Sequence, residues 1–312
     1  MKLLIQIPCF NEEKTLPLVL KAIPKKIKGI QTIDVLIIDD GSTDKTFETA
    51  QKFKVNHIIR NKTNRGLGYT FKRGLKFALK KRYDILVNTD GDNQYPGKYI
   101  PDLVKPIVQR KAEVVIADRQ VKKISHFSQI KKFLQVIGSK IVSRAAGIKI
   151  PDATSGFRAY SRQALLEINP TSNFSYVIDT LIQVGKKGLK ASFIKIKVNR
   201  PTRRSRLAKN TLIHLRQSVV NILMVYLLYE PLKVFSILAS IFIIIGLVPL
   251  IRFLIFYFEG NGSGHVQSLI LGVLLCLTGV QFFGIALVGK ILAKHRQLSE
   301  DVLYYLKSGR DD

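Results

Sequence analysis

Apolar and polar positions divide the chain into two unlike halves. In the first, short apolar runs punctuate longer amphipathic stretches. Leu3 to Ile7, Asp34 to Ile38, Val55 to Ile59 and Ile85 to Val87 read as buried strands. Thr15 to Ala22, Lys45 to Phe53 and Tyr69 to Lys81 read as the helices between them, the first stopped near Pro24. Glu113 to Ala117 adds a further strand. This alternation predicts an α/β domain built on a doubly wound, mostly parallel sheet.

The second half changes character. Asn210 to Tyr229 mixes Leu, Ile, Val and Tyr with His214, Arg216 and Gln217, the pattern of an amphipathic helix lying at a membrane interface. Val234 to Ile251 is then 18 residues without a charge, about 27 Å as a helix. Arg252 can snorkel, and Phe253 to Phe258 extend the run. Val266 to Gly289 gives 24 more uncharged residues, after a Gly-rich turn from Glu259 to His265 that lacks Lys and Arg. Two membrane-spanning helices joined as a hairpin are expected. Basic residues flank the hairpin on both sides, which places both flanks in the cytoplasm and the turn outside. Two buried helices of a soluble core are the competing reading, and the lengths and flanks speak against it. The expected divisions are 1–208 for a catalytic domain, 209–230 for the juxtamembrane helix, 231–290 for the hairpin and 291–312 for a cytoplasmic tail.

Candidate chemistry collects where the strands end. Asp39-Asp40-Gly41-Ser42-Thr43-Asp44 follows the second strand, and Asp90-Gly91-Asp92-Asn93-Gln94 follows the fourth. Ligands of open α/β sheets bind at the carboxyl ends of the strands. Asp90, Asp92 and the amide oxygen of Gln94 form an all-oxygen set suited to Mg²⁺ or Mn²⁺, which keep waters and take phosphate oxygens as remaining ligands. Gly91 lets the turn tighten so that both carboxylates converge. Each loop also fits a plainer role, since Asp, Ser and Thr commonly cap helices and close turns.

Charge sharpens the choice of partner. The chain carries 50 Lys and Arg against 22 Asp and Glu, a net charge of +28. An anionic partner follows: nucleic acid, an anionic membrane surface or a phosphorylated substrate. From Thr180 to Tyr229 there are eleven basic residues and no acidic one. Such a stretch beside a membrane attracts anionic lipid by about 1 kcal/mol per basic residue. The two cysteines, Cys9 and Cys276, offer neither a disulfide framework nor a zinc site. The first residues lack the length and cleavage site of a signal peptide, so the catalytic half is expected to stay in the cytoplasm.

Ile7-Pro8-Cys9-Phe10-Asn11-Glu12-Glu13, the Asp39-Asp40-Gly41-Ser42-Thr43-Asp44 loop, Asn64-Arg65-Gly66-Leu67-Gly68 and Asp90-Gly91-Asp92 resemble, in order and spacing, the successive motifs of family 2 glycosyltransferases. The resemblance covers residues 1 to about 210 and is nearest to the dolichyl- and polyprenyl-phosphate sugar synthases. It implies a GT-A-type nucleotide-sugar-binding domain. Pro8, Phe10, Glu12, Asp39 and Asp40 would hold the nucleobase and ribose, with Asp90 and Gly91 beside the donor. Asp90, Asp92 and Gln94 would hold the metal, Asp92 acting in catalysis. Arg119 would reach phosphate through a planar, bidentate guanidinium. Ile150-Pro151-Asp152-Ala153-Thr154-Ser155-Gly156 resembles the segment with the proposed base of inverting enzymes, which makes Asp152 the candidate. An acceptor phosphate is already ionised at neutral pH and asks for positioning more than for a base. In Val198 to Arg206, Arg200 and Arg206 match positions that contact the donor diphosphate and the acceptor phosphate. Arg206 stands where the family usually has Lys, and Arg204 lies near a usually acidic site. Leu277 to Gln281 with Gly284 and Gly289 resembles the second span of bacterial polyprenyl-phosphate glucosyltransferases.

The expected activity is inverting transfer of a sugar from a UDP- or GDP-linked donor to polyprenyl phosphate, dolichyl or undecaprenyl, at the cytoplasmic face of the cell membrane. The expected partners are the donor, the lipid acceptor and membrane lipids, with no nucleic acid. The hairpin offers a surface for association between copies. A processive polysaccharide synthase of this fold would show a Gln-x-x-Arg-Trp motif, and the chain has no Trp. A transferase using another glycan or lipid acceptor, or a non-catalytic lipid-binding scaffold, are the remaining alternatives. The scaffold would not need Asp90, Asp92, Gln94 and Asp152 together.

Overall fold

A computed structural model describes residues 1–125, 127–170, 176–200, 220, 223–224, 227 and 229–309. The juxtamembrane helix expected over 209–230 falls largely outside these residues, as does Arg206. By contacts the chain divides into two units, Met1–Ile222 with Tyr304–Asp312, and Leu223–Leu303.

The first unit is a seven-stranded sheet in the order β3-β2-β1-β4-β6-β5-β7. Its strands are β1 (Lys2–Cys9), β2 (Thr32–Asp39), β3 (His57–Arg60), β4 (Ile85–Asn88), β5 (Val114–Asp118), β6 (Arg158–Ser161) and β7 (Ala191–Lys195). The helices are α1 (Leu16–Lys21), α2 (Thr46–Lys52), α3 (Leu67–Lys80), α4 (Ile100–Val108), α5 (Gln129–Ala146), α6 (Arg162–Glu167) and α7 (Tyr176–Lys186). β1 pairs in parallel with β2 on one side and β4 on the other. The strand order therefore reverses at β1, the position where open α/β sheets form a ligand crevice.

The strands read as continuous apolar runs because helices cover both faces. Leu3, Ile5 and Ile7 of β1 join Leu16 and Val19 of α1 and Leu103 and Val104 of α4 in one core. On the opposite face Phe71 of α3 stacks on Tyr176 of α7, with ring centroids 4.4 Å apart, and meets Tyr160 of β6 at 5.7 Å. The five strands expected from the apolar runs all form, within a few residues at each end. β6 and β7 are additions. β6 runs antiparallel between β4 and β5, so the sheet is mixed although mostly parallel. Four-residue β6 carries a buried Arg and a Ser, which gives no apolar run to read.

The second unit contains two helices long and apolar enough to cross a membrane, α8 (Pro231–Phe258) and α9 (Val266–Ser308). Small residues let their backbones approach, as is usual between helices in lipid. A Cβ added to Gly272 would lie 2.9 Å from the Gly246 carbonyl oxygen, and one added to Gly279 would lie 2.9 Å from that of Ala239. Phe282 of α9 packs between Phe235 and Phe242 of α8, with centroids 6.3 and 5.4 Å away. α9 does not stop where the uncharged stretch ends at Gly289. It continues unbroken to Ser308. Beyond that stretch Arg296 donates to Glu300 at 2.9 Å and to the Tyr229 hydroxyl at 2.6 Å.

One contact in the first unit leaves no room for a methyl group. A Cβ on Gly185 of α7 would sit 2.0 Å from the carbonyl oxygen of Ala146, the last residue of α5. That oxygen is backbone, so a helix must move. Gly185→Ala is expected to destabilise the protein by about 1–3 kcal/mol, the usual effect of overpacking. Thermal melting of the purified full chain measures it.

Candidate active site

The loops at the carboxyl ends of β1, β2, β4 and β5 and the segment entering β6 form a continuous hydrogen-bonded rim. The loop after β1 is zipped to the loop after β2. Asn11 N donates to Ser42 Oγ at 2.9 Å, Thr43 N to Asn11 Oδ1 at 2.7 Å, and Glu13 N to Asp44 Oδ2 at 3.1 Å. Gly41 turns this loop at φ 75°, and a Cβ there would meet Thr63 backbone at 2.7 Å. Asp39 is fully buried. Its Oδ1 accepts from Ser42 N at 2.9 Å, and its Oδ2 lies 3.1 Å from Arg60 Nε.

Asp40 is engaged differently from its neighbour. Its Oδ1 accepts from Asn61 Nδ2 at 2.6 Å and Arg65 N at 2.9 Å, and its Oδ2 accepts from Gly66 N at 2.8 Å. It thus satisfies amides at the amino terminus of α3, where a negative charge is favoured by the helix dipole. Asp44 does similar service at the start of α2, accepting from Thr46 N at 3.0 Å. Of this acidic triplet, Asp39 is the one whose carboxylate contacts no helix terminus.

Glu12, Pro8 and Gly91 meet where β1 faces the Asp90–Gln94 loop. A Cβ on Gly91 would lie 2.9 Å from Cys9 Sγ, 3.3 Å from Glu12 Cγ and 3.3 Å from the Pro8 carbonyl oxygen. Only glycine lets this loop lie so close. Glu12 is buried, with its Oε2 accepting from Thr15 Oγ1 at 2.6 Å. Phe10, beside it, is half-buried. The Cys9 thiol is pushed well above its usual pKa by burial and the Glu12 charge, so it stays protonated and unreactive.

Asp90 is the electrostatically strained group. Its Oδ1 is buried without a hydrogen-bond partner among the described residues. Burial, and then the Asp92 charge, push its carboxyl up to about 7. Both carboxylate oxygens lie 3.6 Å from where a Cβ on Gly156 would be. Asp92 Oδ1 accepts from Gln94 N at 3.0 Å, closing a turn whose next residue, Asn93, adopts φ 61°. Two crowded carboxylates, one with a buried oxygen lacking a partner, fit a divalent cation. Gln94 supplies a neutral oxygen nearby in sequence. Among the described residues no three His, Cys, Asp or Glu side chains gather around a metal position. The chain therefore offers a partial shell of the kind Mg²⁺ completes with water and phosphate.

Arg119 and Asp152 face each other as a buried pair. Arg119 Nε donates to Asp152 Oδ2 at 2.7 Å and Nη2 donates to Oδ1 at 2.9 Å, a bidentate fork. Nη2 also donates to Thr154 Oγ1. These bonds use Nε and Nη2, which leaves Nη1 for a further acceptor. Burial alone would raise the Asp152 carboxyl, but the Arg119 guanidinium and its hydrogen bonds hold it below the usual carboxylate range. Asp152 is thus a weak proton acceptor in this arrangement. Gln120, next in sequence, takes φ 51°.

Residues to which the sequence reading gave no role hold the 152–156 segment beside the 90–94 loop. Asn88 Nδ2 donates to the Gly156 carbonyl at 2.9 Å and to the Tyr176 hydroxyl at 3.2 Å, while its Oδ1 accepts from Gln6 Nε2 at 2.7 Å. Gly156 N donates to the Tyr95 hydroxyl at 3.1 Å. Arg158 donates to the carbonyls of Ser155 and Val177 and to Thr180 Oγ1, each at 2.8 Å. The one signal for Asn88 was an amide closing an otherwise apolar strand, and for Arg158 a charge in a segment that proves buried. Asn199 completes the rim. Its N donates to the Gln94 carbonyl at 3.0 Å and its Nδ2 to that of Asn93 at 2.8 Å. This fixes the residue before Arg200, which is itself exposed.

The fork yields a test. A depressed carboxylate pKa contributes stability that is present above the unfolded value of about 3.9 and is lost as pH falls through the folded value. Asp152→Asn leaves a buried guanidinium without its counter-charge, a loss of about 3–5 kcal/mol. The melting-temperature gap between wild type and Asp152→Asn should be full at pH 6–8 and should close as the pH is taken below about 4.

Residues 4–168 match the model of "Glycosyl transferase family 2". The chain is 28% identical over 198 residues to an undecaprenyl-phosphate mannosyltransferase of Micrococcus luteus, covering 60% of this chain and 79% of that protein. It is 26% identical over 302 residues to an undecaprenyl-phosphate 4-deoxy-4-formamido-L-arabinose transferase of Photorhabdus laumondii, covering 94% and 89%. Among solved structures, glucosyl-3-phosphoglycerate synthase of Mycobacterium tuberculosis, in complex with Mn²⁺, UDP and glucosyl-3-phosphoglycerate, superposes with a TM-score of 0.55 at 20% identity, covering 72% of this chain and 78% of that one. That likeness establishes a GT-A-like fold. The chain belongs to glycosyltransferase family 2 and is a glycosyltransferase.

Proposed function

We propose that this glycosyltransferase moves a sugar, with inversion, from a UDP- or GDP-linked donor to polyprenyl phosphate, dolichyl or undecaprenyl, at the cytoplasmic face of the membrane. The observation that carries the reading is the Asp90–Asp92 pair, a charge-strained carboxylate with a bare buried oxygen at the crevice where the strand order reverses. Relatives named as undecaprenyl-phosphate sugar transferases and two helices of membrane-spanning length support the choice of acceptor.

In this reading the nucleoside sits between the loops after β1 and β2, against Pro8, Phe10 and Glu12. Asp39 offers its carboxylate to the base or ribose, while Asp40 shapes the pocket by holding the 61–66 turn. Asp90, Asp92 and Gln94 would hold Mg²⁺ or Mn²⁺, which would supply positive charge to the donor diphosphate and to the departing nucleotide. Gly91 lets that loop approach the floor of the pocket. Arg119, oriented by Asp152, turns Nη1 toward phosphate. Arg200, next to the anchored Asn199, and Arg206 reach the donor diphosphate and the acceptor phosphate. Because a phosphate acceptor is already ionised, alignment of the two anions carries much of the rate. Asp152 contributes by holding Arg119 in place, and its role as proton acceptor is secondary.

Purified protein in bilayers, given labelled UDP- and GDP-sugars with polyprenyl phosphate, should yield a lipid-extractable labelled product. Asp92→Ala should lower the rate about a hundredfold, as losing an electrostatic stabiliser does, and excess EDTA should stop turnover. Mn²⁺ should raise the melting temperature of the wild type and not of Asp92→Ala. Label transferred only to a soluble glycan or phosphorylated acid would replace the lipid acceptor in this reading, and full activity in EDTA would end the metal assignment.

The orientation is open to a separate measurement. A cysteine at Ser263, in the turn between the helices, should react with an impermeant reagent on intact cells. One at Ser308 should react only after permeabilisation. The reverse pattern would put the active site on the other face.

A further inference from the structure

Three buried polar side chains form a row whose hydrogen bonds all point one way. Gln6 of β1, Asn88 of β4 and Tyr176 of α7 are each no more than 1% exposed. Gln6 Nε2 donates to Asn88 Oδ1 at 2.7 Å, and Asn88 Nδ2 donates to the Tyr176 hydroxyl at 3.2 Å. Stability alone does not ask for such a row, because apolar groups of the same shape are nearly neutral or stabilising in place of a buried hydrogen-bonded pair.

The fold makes room for it all the same. A Cβ on Gly74 of α3 would lie 1.7 Å from Gln6 Oε1, so only glycine lets the amide stand there. A glycine inside a helix is unfavourable relative to Ala. At the other end, Phe71 stacks on the Tyr176 ring with centroids 4.4 Å apart, which fixes where the hydroxyl stands.

One carbonyl sets the direction of the whole row. Asn88 Nδ2 also donates to the Gly156 carbonyl oxygen at 2.9 Å. That oxygen can only accept, so the Asn88 amide keeps its nitrogen on this side and its oxygen toward Gln6. Gln6 must then present its nitrogen, and the Tyr176 oxygen must accept. The proton left over at the end of the row is that of the Tyr176 hydroxyl. Burial, and next the Asp90 charge, push this hydroxyl's pKa well up, so it keeps that proton.

The acceptor nearby is Asp90. The Tyr176 oxygen and both Asp90 carboxylate oxygens lie 3.5–3.6 Å from one point, the place of a Cβ on Gly156. Asp90 Oδ1 is buried and receives no hydrogen bond among the described residues. Given the metal reading of Asp90, Asp92 and Gln94, we infer that Tyr176 is a positioning residue for Asp90. Its hydroxyl, oriented by Asn88 and Gln6, gives the carboxylate a hydrogen bond and so holds it in the orientation that binds a divalent cation. Hydrogen bonds in a chain polarise one another, so each donor of the row strengthens the next. Groups standing behind a metal ligand commonly change metal affinity by about 10- to 100-fold when they are removed.

Mn²⁺ binding to the purified full chain tests this, read from the electron paramagnetic resonance signal of the free ion. Tyr176→Phe keeps the ring and removes only the hydroxyl. It should weaken Mn²⁺ binding about tenfold, with melting still cooperative. Gln6→Met, at the far end of the row, should weaken it in the same direction by a smaller factor. Tyr160 supplies the control. It meets Phe71 in the same aromatic cluster, and its buried hydroxyl has no hydrogen-bond partner among the described residues. Tyr160→Phe should bind Mn²⁺ as the wild type does. In the lipid-transfer assay Tyr176→Phe should need about ten times more Mn²⁺ for half its maximal rate, while the rate at saturating Mn²⁺ stays close to wild type. Unchanged Mn²⁺ affinity in Tyr176→Phe or in Gln6→Met would overturn the proposal and leave the metal reading standing. Equal losses in Tyr176→Phe and Tyr160→Phe would do the same, since they mark a general loosening of the cluster. A wild type that binds no Mn²⁺ would instead end the metal reading, and this proposal with it.

Discussion

Everything at the candidate site depends on β1 pairing in parallel with two neighbours at once. Its register against β2 sets Cys9 opposite Asp39, and its register against β4 sets Gln6 opposite Asn88. Those pairings bring the ends of three strands to one edge. The chain leaves each strand there with no regular partner for its next amides, and buried backbone groups must be satisfied. The loops answer that need with one another, which is why Asn11, Ser42, Asp40 and the 61–66 turn form one lattice. A slip of one residue would turn every side chain of β1 to the opposite face and separate the acidic loops.

Within that rim the electrostatics run in two directions. The Asp90–Asp92 pair concentrates negative charge in a chain of +28, and burial together with the Asp92 charge pushes the Asp90 carboxyl up to about 7. Such a site gains most from a doubly charged ion, and once the ion is present it favours phosphate oxygens. Arg119 and Asp152 take the opposite course and cancel each other through a fork. A buried ion pair is weak evidence for stability, since apolar residues of the same size often serve as well or better. Its benefit is orientation. The guanidinium plane is fixed, so any donor it retains has a set direction.

How much of this was legible follows from where the information lay. The alternation of apolar runs with amphipathic stretches was enough for β1 to β5 and the helices between them, because a parallel sheet covered on both faces demands long apolar strands. Asp90, Asp92 and Gln94, the proposed metal ligands, could be picked out because they stand close in sequence around one turn. β6 was not visible. Its pattern, Arg-Ala-Tyr-Ser, owes its burial to Arg158 reaching carbonyls on two other segments, a tertiary fact. Asp40 illustrates a subtler limit. Its type and place were read from the sequence, but whether a carboxylate faces a ligand or a helix terminus depends on the turn at 61–66, which lies twenty residues away. The pairing of Arg119 with Asp152 spans 33 residues and likewise left no local trace.

The long helix shows the same logic on a larger scale. A length count gives it a membrane span and stops at Gly289, because charge resumes at Lys290. The spacing of its residues gives a different answer. Small residues every seven positions, at Gly272, Gly279 and Ala286, bring α8 close. A helix that only needed to cross lipid would be free to place its apolar residues anywhere around the axis, since the solvent is uniform. The glycines at 272, 279 and 289 are instead tied to one side, where a Cβ on each would meet a residue of α8 within 3.0 Å.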